Sequence, residues 1–176
     1  MTRIIGLAGW SGAGKTTLMV RLLPCLIGRG LAVSTLKHAH HRFDVDVPGK
    51  DSWEHRKAGA RQVMVASGAR WALMTELRTA LEPTLPELLA RMDPADLIIV
   101  EGFKRDAHPK IEVHRAANAK PWMRPEMPGI VAVAADVGAP YDLPRAHLDD
   151  IEGVADLVMA HAAPPAAIRW GVRQEA

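Results

Sequence analysis

The sequence predicts an α/β protein in three layers, a mainly parallel sheet with helices on both faces. Three observations carry this. Short apolar runs recur along the chain, and Arg3–Leu7, Asp96–Val100 and Gly129–Ala134 show no polar alternation, the pattern of strands buried on both faces. Stretches of helical spacing alternate with those runs. The polar concentrations follow Leu7, Leu36, Val100 and Ala134, and parallel sheets place their ligands at the C-terminal ends of the strands.

The elements follow in order. Arg3–Leu7 is a strand. Lys15–Ile27 has Leu18, Leu22, Leu23 and Leu26 at helical spacing, and Gly28 and Gly30 suit its end. Ala32–Leu36 is a second strand, and Lys37–Asp51 is a polar loop long enough to be functional. Ser52–Ala58 starts with a good cap and forms a short helix. Gln62–Ala66 and Arg70–Met74 flank Ser67-Gly68 as a hairpin. Leu85–Met92 is helical, Asp96–Val100 and Lys110–His114 are strands, and Ala119–Pro128 is a Pro-rich loop. Gly129–Ala134 is a further strand and Asp149–Ala160 a closing helix.

With 176 residues, 48% of them apolar, the chain is long enough for one domain with a real core. That domain is expected over 1–163, with 164–176 as a poorly ordered tail. A formal net charge of +2 argues against nucleic acid or an anionic membrane as partner. Neither a spanning apolar run nor a signal-peptide layout is evident. Cys25 is the single cysteine, so an internal disulfide framework is excluded, and the expected location is the cytoplasm.

Gly9-Trp10-Ser11-Gly12-Ala13-Gly14-Lys15-Thr16 fits G-x-x-x-x-G-K-[ST] between a strand and a helix. Backbone N–H groups can surround a polyphosphate only where no Cβ intrudes. The following helix turns its N-terminal N–H groups to the same anion. Lys15 adds charge near the β and γ phosphates, and Thr16 offers a hydroxyl to Mg²⁺. The motif therefore nominates Gly9, Ser11, Gly12, Ala13, Gly14, Lys15, Thr16 and Thr17 for the nucleotide. Glu101 ends an apolar strand and is expected to hold Mg²⁺ or orient water. Lys15 and Glu101 are thus the candidate catalytic pair. Asp96, at the other end of that strand, is a weaker candidate.

The loop from Lys37 to Ser52 is the second concentration of chemistry. Lys37 or His38 would contact an anion, and Asp44, Asp46 or Asp51 would reach Mg²⁺; Asp44 is nominated as the metal ligand with Thr16 and Glu101. Zinc on His38, His40 and His41 is an alternative, as is a solvated polar loop. His55 and Arg56 would extend an anion-binding cluster. Asp136 follows a late strand, where a carboxylate can read guanine, although Asn-Lys-x-Asp is absent. His108, His114 and His147 are expected as surface or satisfied histidines, and Trp53, Trp71 and Trp122 as core or interface. No arginine finger stands out; Arg105, Arg115 and Arg124 are the arginines after Glu101 in this stretch.

GLAGWSGAGKTTL, LKHAHHRFDVDVPGKDSWEHRKAGA and DLIIVEGFK together resemble the molybdopterin-guanine dinucleotide biosynthesis adaptor family, often called MobB. The resemblance spans Ile4 to about Met159. It implies a GTP-binding phosphate-loop protein of the P-loop NTPase type, a homodimer with weak GTPase activity. Its implied partner is the guanylyltransferase that attaches GMP to molybdopterin, with the molybdopterin cofactor as a second candidate partner. By that resemblance Gly12, Gly14, Lys15, Thr16 and Thr17 hold phosphates and Mg²⁺, and Glu101 closes the metal site. Alternatives are a small-molecule kinase using Mg-ATP, whose phosphate loops are similar, and a metallochaperone GTPase.

Overall fold

The computed structural model describes residues 1–39, 43–127 and 129–171. The chain divides into two compact units, Met1–His38 with Leu85–Ala176, and Ala39–Thr84.

The larger unit holds a six-stranded sheet in the order β2-β5-β1-β6-β7-β8, every pairing parallel. Its strands are β1 (Arg3–Ala8), β2 (Val33–Lys37), β5 (Leu97–Glu101), β6 (Lys110–His114), β7 (Ile130–Ala135) and β8 (Arg145–His147). Helices α1 (Lys15–Gly28), α3 (Leu85–Leu89) and α4 (Ile151–His161) cover it.

Alternation along the central strands builds two cores. Ile5 and Leu7 of β1 and Leu97 and Ile99 of β5 meet Leu18, Leu22 and Leu26 of α1 and Val154, Ala155 and Val158 of α4. Ile4, Ile98 and Val100 turn the other way and pack with Leu85. Both faces of β1 and β5 are therefore apolar, which is why these runs carry no polar alternation. At about 25 cal/mol per Å² of apolar surface removed from water, burial of these side chains is a main source of the sheet's stability.

The segment after α4 departs from the expected tail. Ala163 bridges Ile4 in antiparallel fashion, a single 3-10 turn covers Pro165–Ala167, and Ile168 and Trp170 pack on the second core. Residues 172–176 lie outside the described set.

His108 also differs from expectation. It is fully buried, and among the described residues neither ring nitrogen has a hydrogen-bond partner. It lies beneath Gly6, where an added Cβ would stand 2.6 Å from Nε2, and 6.5 Å from the Trp170 ring. Burial, reinforced by Lys110, holds its pKa down to about 3. His114 stacks on Trp122 at 3.8 Å.

The smaller unit contains α2 (Asp51–Lys57) and the hairpin of β3 (Gln62–Ala66) and β4 (Trp71–Thr75). Its anchor is Arg56, bound by Asp46 at 3.0 Å, Asp44 at 2.6 Å and Glu76 at 3.4 Å. No described helix is long and apolar enough to cross a membrane.

Candidate functional site

The stretch between β1 and α1 forms a tight loop. Gly12 and Gly14 take φ of 82° and 89°, values that favour glycine. Gly9 is required for another reason: a Cβ there would stand 2.6 Å from the carbonyl oxygen of Val113. Gly14 caps α1, so the free N–H groups of the first helical turn open onto the same space as the loop.

A cavity of about 410 Å³ lies at this place, lined by Ser11, Gly12, Gly14, Lys15, Thr16, Thr17, Lys37 and Glu101. The motif, the end of β2 and the end of β5 thus line one cavity. The reason is the strand order, since β5 lies between β1 and β2. Lys15 folds its ammonium onto the Gly9 and Trp10 carbonyls, at 2.9 and 3.0 Å. Burial lowers its pKa from the ordinary value, Glu101 opposes that, and Lys104 and Lys37 add to it. Glu101 lies 3.7 Å from Lys37. Lys104 sits over the Trp10 ring at 5.7 Å. A patch with this many cations suits a polyanion.

Ala13 is buried, and its N–H is used within the loop, donating to the Trp10 carbonyl at 3.1 Å. His38 is not among the lining residues. Its N–H donates to the Glu101 carbonyl at 2.8 Å, and its ring lies 4.8 Å from that of Phe103. The corner after Glu101 causes this: Gly102 and Phe103 take φ of 95° and 46°, and Gly102 lies flat against His38. Asp96 is structural, accepting the Ala32 N–H at 2.8 Å.

Asp44 belongs to the smaller unit, with its carboxylate on Arg56. Arg56 is neutralised there by three carboxylates, so it is an anchor of that unit rather than an open anion ligand. His40 and His41 lie outside the described residues.

Asp136 stands just past β7 and does two things. Its Oδ1 accepts the Ala116 N–H at 2.8 Å, and Oδ2 lies 3.9 Å from Arg115. The loop after β6, held in this way, braces the phosphate loop. Asn118 Nδ2 donates to the Ser11 carbonyl at 3.0 Å, and Trp10 Nε1 donates to the Pro121 carbonyl at 2.7 Å. Arg115 reaches Gly14, its Nη2 standing 3.4 Å from where a Cβ would be. Sequence reasoning missed this brace. The available signal was that Arg115–Asn118 directly follow a strand, the position that carries ligand-side residues in a parallel sheet.

Residues 4–136 match the profile of the family described as MobB, molybdopterin guanine dinucleotide synthesis protein B. The chain is 46% identical to the molybdopterin-guanine dinucleotide biosynthesis adapter protein of Escherichia coli, over 90% of this chain and 93% of the relative. It is 41% identical to the adapter protein of Haemophilus influenzae, over 88% and 86% respectively. A crystal structure of molybdopterin-guanine biosynthesis protein B superposes with a TM-score of 0.69 at 25% identity, covering 89% of this chain and 98% of the other. By profile and by relatives alike, the chain belongs to the MobB family.

Proposed function

We propose that this protein binds GTP with Mg²⁺ in the cytoplasm and serves as an accessory to the guanylyltransferase that converts molybdopterin cofactor to its guanine dinucleotide form. The observation that carries the reading is the cavity where Lys15, Thr16 and Glu101 meet beneath a glycine loop, in a chain whose relatives are named as adapters of that synthesis.

The donor set fits a small hard cation, because the Thr16 hydroxyl and the Glu101 carboxylate line the same cavity. Thr16 and Glu101 would hold Mg²⁺, which supplies charge neutralisation to the phosphates when bound. Lys15 exchanges the Gly9 and Trp10 carbonyls for phosphate oxygens. Glu101, only 16% exposed, is placed to orient a water for slow hydrolysis.

The homodimer rests on the hairpin. Met64 pairs with Leu73 and Ala66 with Trp71, so these side chains share one face. Met64, Leu73 and Trp71 are 61%, 46% and 62% exposed, and an apolar face of this kind marks an interface.

Calorimetric titration with GTP and ATP, each with Mg²⁺, tests the reading. GTP preference is expected, and Lys15→Ala should abolish binding with the circular dichroism spectrum unchanged. Unaltered GTP affinity in that variant would sink the phosphate-site assignment. ATP preference with phosphoryl transfer to an added acceptor would favour a kinase.

A further inference from the structure

We propose that Arg115 binds the nucleotide itself, clasping its α-phosphate and ribose from the side of the phosphate loop opposite Glu101; this rests on the nucleotide-binding reading above.

The sheet order supplies the first argument. β1 lies between β5 and β6, Glu101 ends β5, and Arg115 directly follows β6. The two residues therefore flank the phosphate loop. The Lys37–Glu101 side carries the metal-binding carboxylate, and the Arg115 side leads toward β7 and Asp136.

Second, the Arg115 guanidinium lies along Gly14, with Nη2 and Nε at 3.4 and 3.5 Å from the position of a Cβ. Gly14 is the last residue before α1, so this cation stands where the first N–H groups of the helix converge.

Third, Arg115 is loosely held. Its approach to Asp136 is 3.9 Å, beyond hydrogen-bond length, and its side chain is 40% exposed. Asp136 Oδ1 is already engaged by the Ala116 N–H. Asp149, whose charge Arg115 also feels, is bound by Arg21 at 2.9 Å. A guanidinium has five N–H donors in a fork that matches phosphate oxygens, and among the described residues only the 3.9 Å approach to Asp136 engages them.

A second cavity, of about 320 Å³, gives the direction in which the ligand runs. It lies at the ends of β7 and β8, with Asp136, Gly138, Arg145 and His147 in its walls. Asp136 thus faces this cavity on one side and Arg115 on the other. A nucleotide with its terminal phosphate near Glu101 and its base near Asp136 passes Arg115 at the α-phosphate and sugar.

The test is titration of GTP and GDP, with Mg²⁺, into wild type, Arg115→Ala, Arg115→Gln and Lys15→Ala, each checked by circular dichroism. GTP and GDP share the α-phosphate, so loss of Arg115 should weaken both by the same factor, about tenfold. Arg115→Gln keeps the length and a polar end without the charge, and it should lose as much as Ala. It also carries the test if the Ala variant unfolds. Unchanged affinities in the Gln variant would overturn the proposal, and so would a loss confined to GTP, which places Arg115 on the γ-phosphate. Wild type that binds neither nucleotide, or Lys15→Ala that binds like wild type, would instead overturn the nucleotide reading beneath it.

Discussion

Asn118 donates its carboxamide N–H to the Ser11 carbonyl at 3.0 Å, tying the loop after β6 to the phosphate loop. Its Oδ1 also stands 2.8 Å from where a Gly12 Cβ would be. One side chain thus holds the loop by a bond and requires glycine beside it. Asn118→Ala removes one neutral hydrogen bond, a net loss of about 1 kcal/mol. Nucleotide affinity should fall about fivefold, with faster amide exchange over residues 9–14. Unchanged exchange there would show that the loop holds its shape without Asn118.

Asp136 braces the loop after β6, and under the proposed GTP reading it would also read the base; two substitutions separate the roles. Asp136→Asn keeps an oxygen for the Ala116 N–H and loses the charge. GTP should weaken by about tenfold, more than ATP. Asp136→Ala also frees Ala116, so ATP should weaken as well. Equal effects of the Asn variant on both nucleotides would remove the base-reading role.

His108 makes the fold acid-sensitive. Its pKa is about 3 in the folded chain, against an ordinary 6.5. A depressed value means that the unfolded chain takes the proton first. The stability is fully present above pH 6.5 and is lost as pH falls from there toward 3, by up to about 1.4 kcal/mol per pH unit. Melting temperature measured from pH 7 to 4 should fall less steeply for His108→Leu than for wild type. Parallel slopes would refute the assignment.

The proposed homodimer would use the hairpin face as its interface. Met64→Glu together with Leu73→Lys places charge on it, opposite in sign across the strand pair, so the hairpin itself is kept. Light scattering should show a dimer for wild type and a monomer for the double variant. A dimer that persists would move the interface elsewhere.

The parts of this protein legible in its sequence are those where physics acts locally. β1, β5 and β7 show because burial on both faces leaves no polar residue to interrupt the run. The phosphate loop shows because glycine at left-handed positions and a following Lys-Thr are read from adjacent residues. β8 does not show: Arg145-Ala146-His147 is three residues long with both ends exposed, too short for any period. The brace is hidden for a different reason. Asn118, Arg115 and Pro121 reach the loop only because β6 lies beside β1, and strand order is a property of the whole chain. His38 directly follows β2, yet its ring stands 4.8 Å from that of Phe103, beside a left-handed corner at Gly102-Phe103 that only the folded chain brings to it.

The position of β1 in the row has a consequence for synthesis on the ribosome. Its partners are far downstream, Arg3 opposite Leu97 and Gly6 opposite Lys110. Ile4, Ile5 and Leu7, all fully or almost fully buried in the finished protein, must therefore wait without their sheet neighbours while more than half of the chain is made. This interval is when an emerging chain is most exposed to chaperones and to wrong partners. The Ser11 carbonyl gains its Asn118 partner only once that residue too has emerged, so the loop before α1 receives its bracing later still.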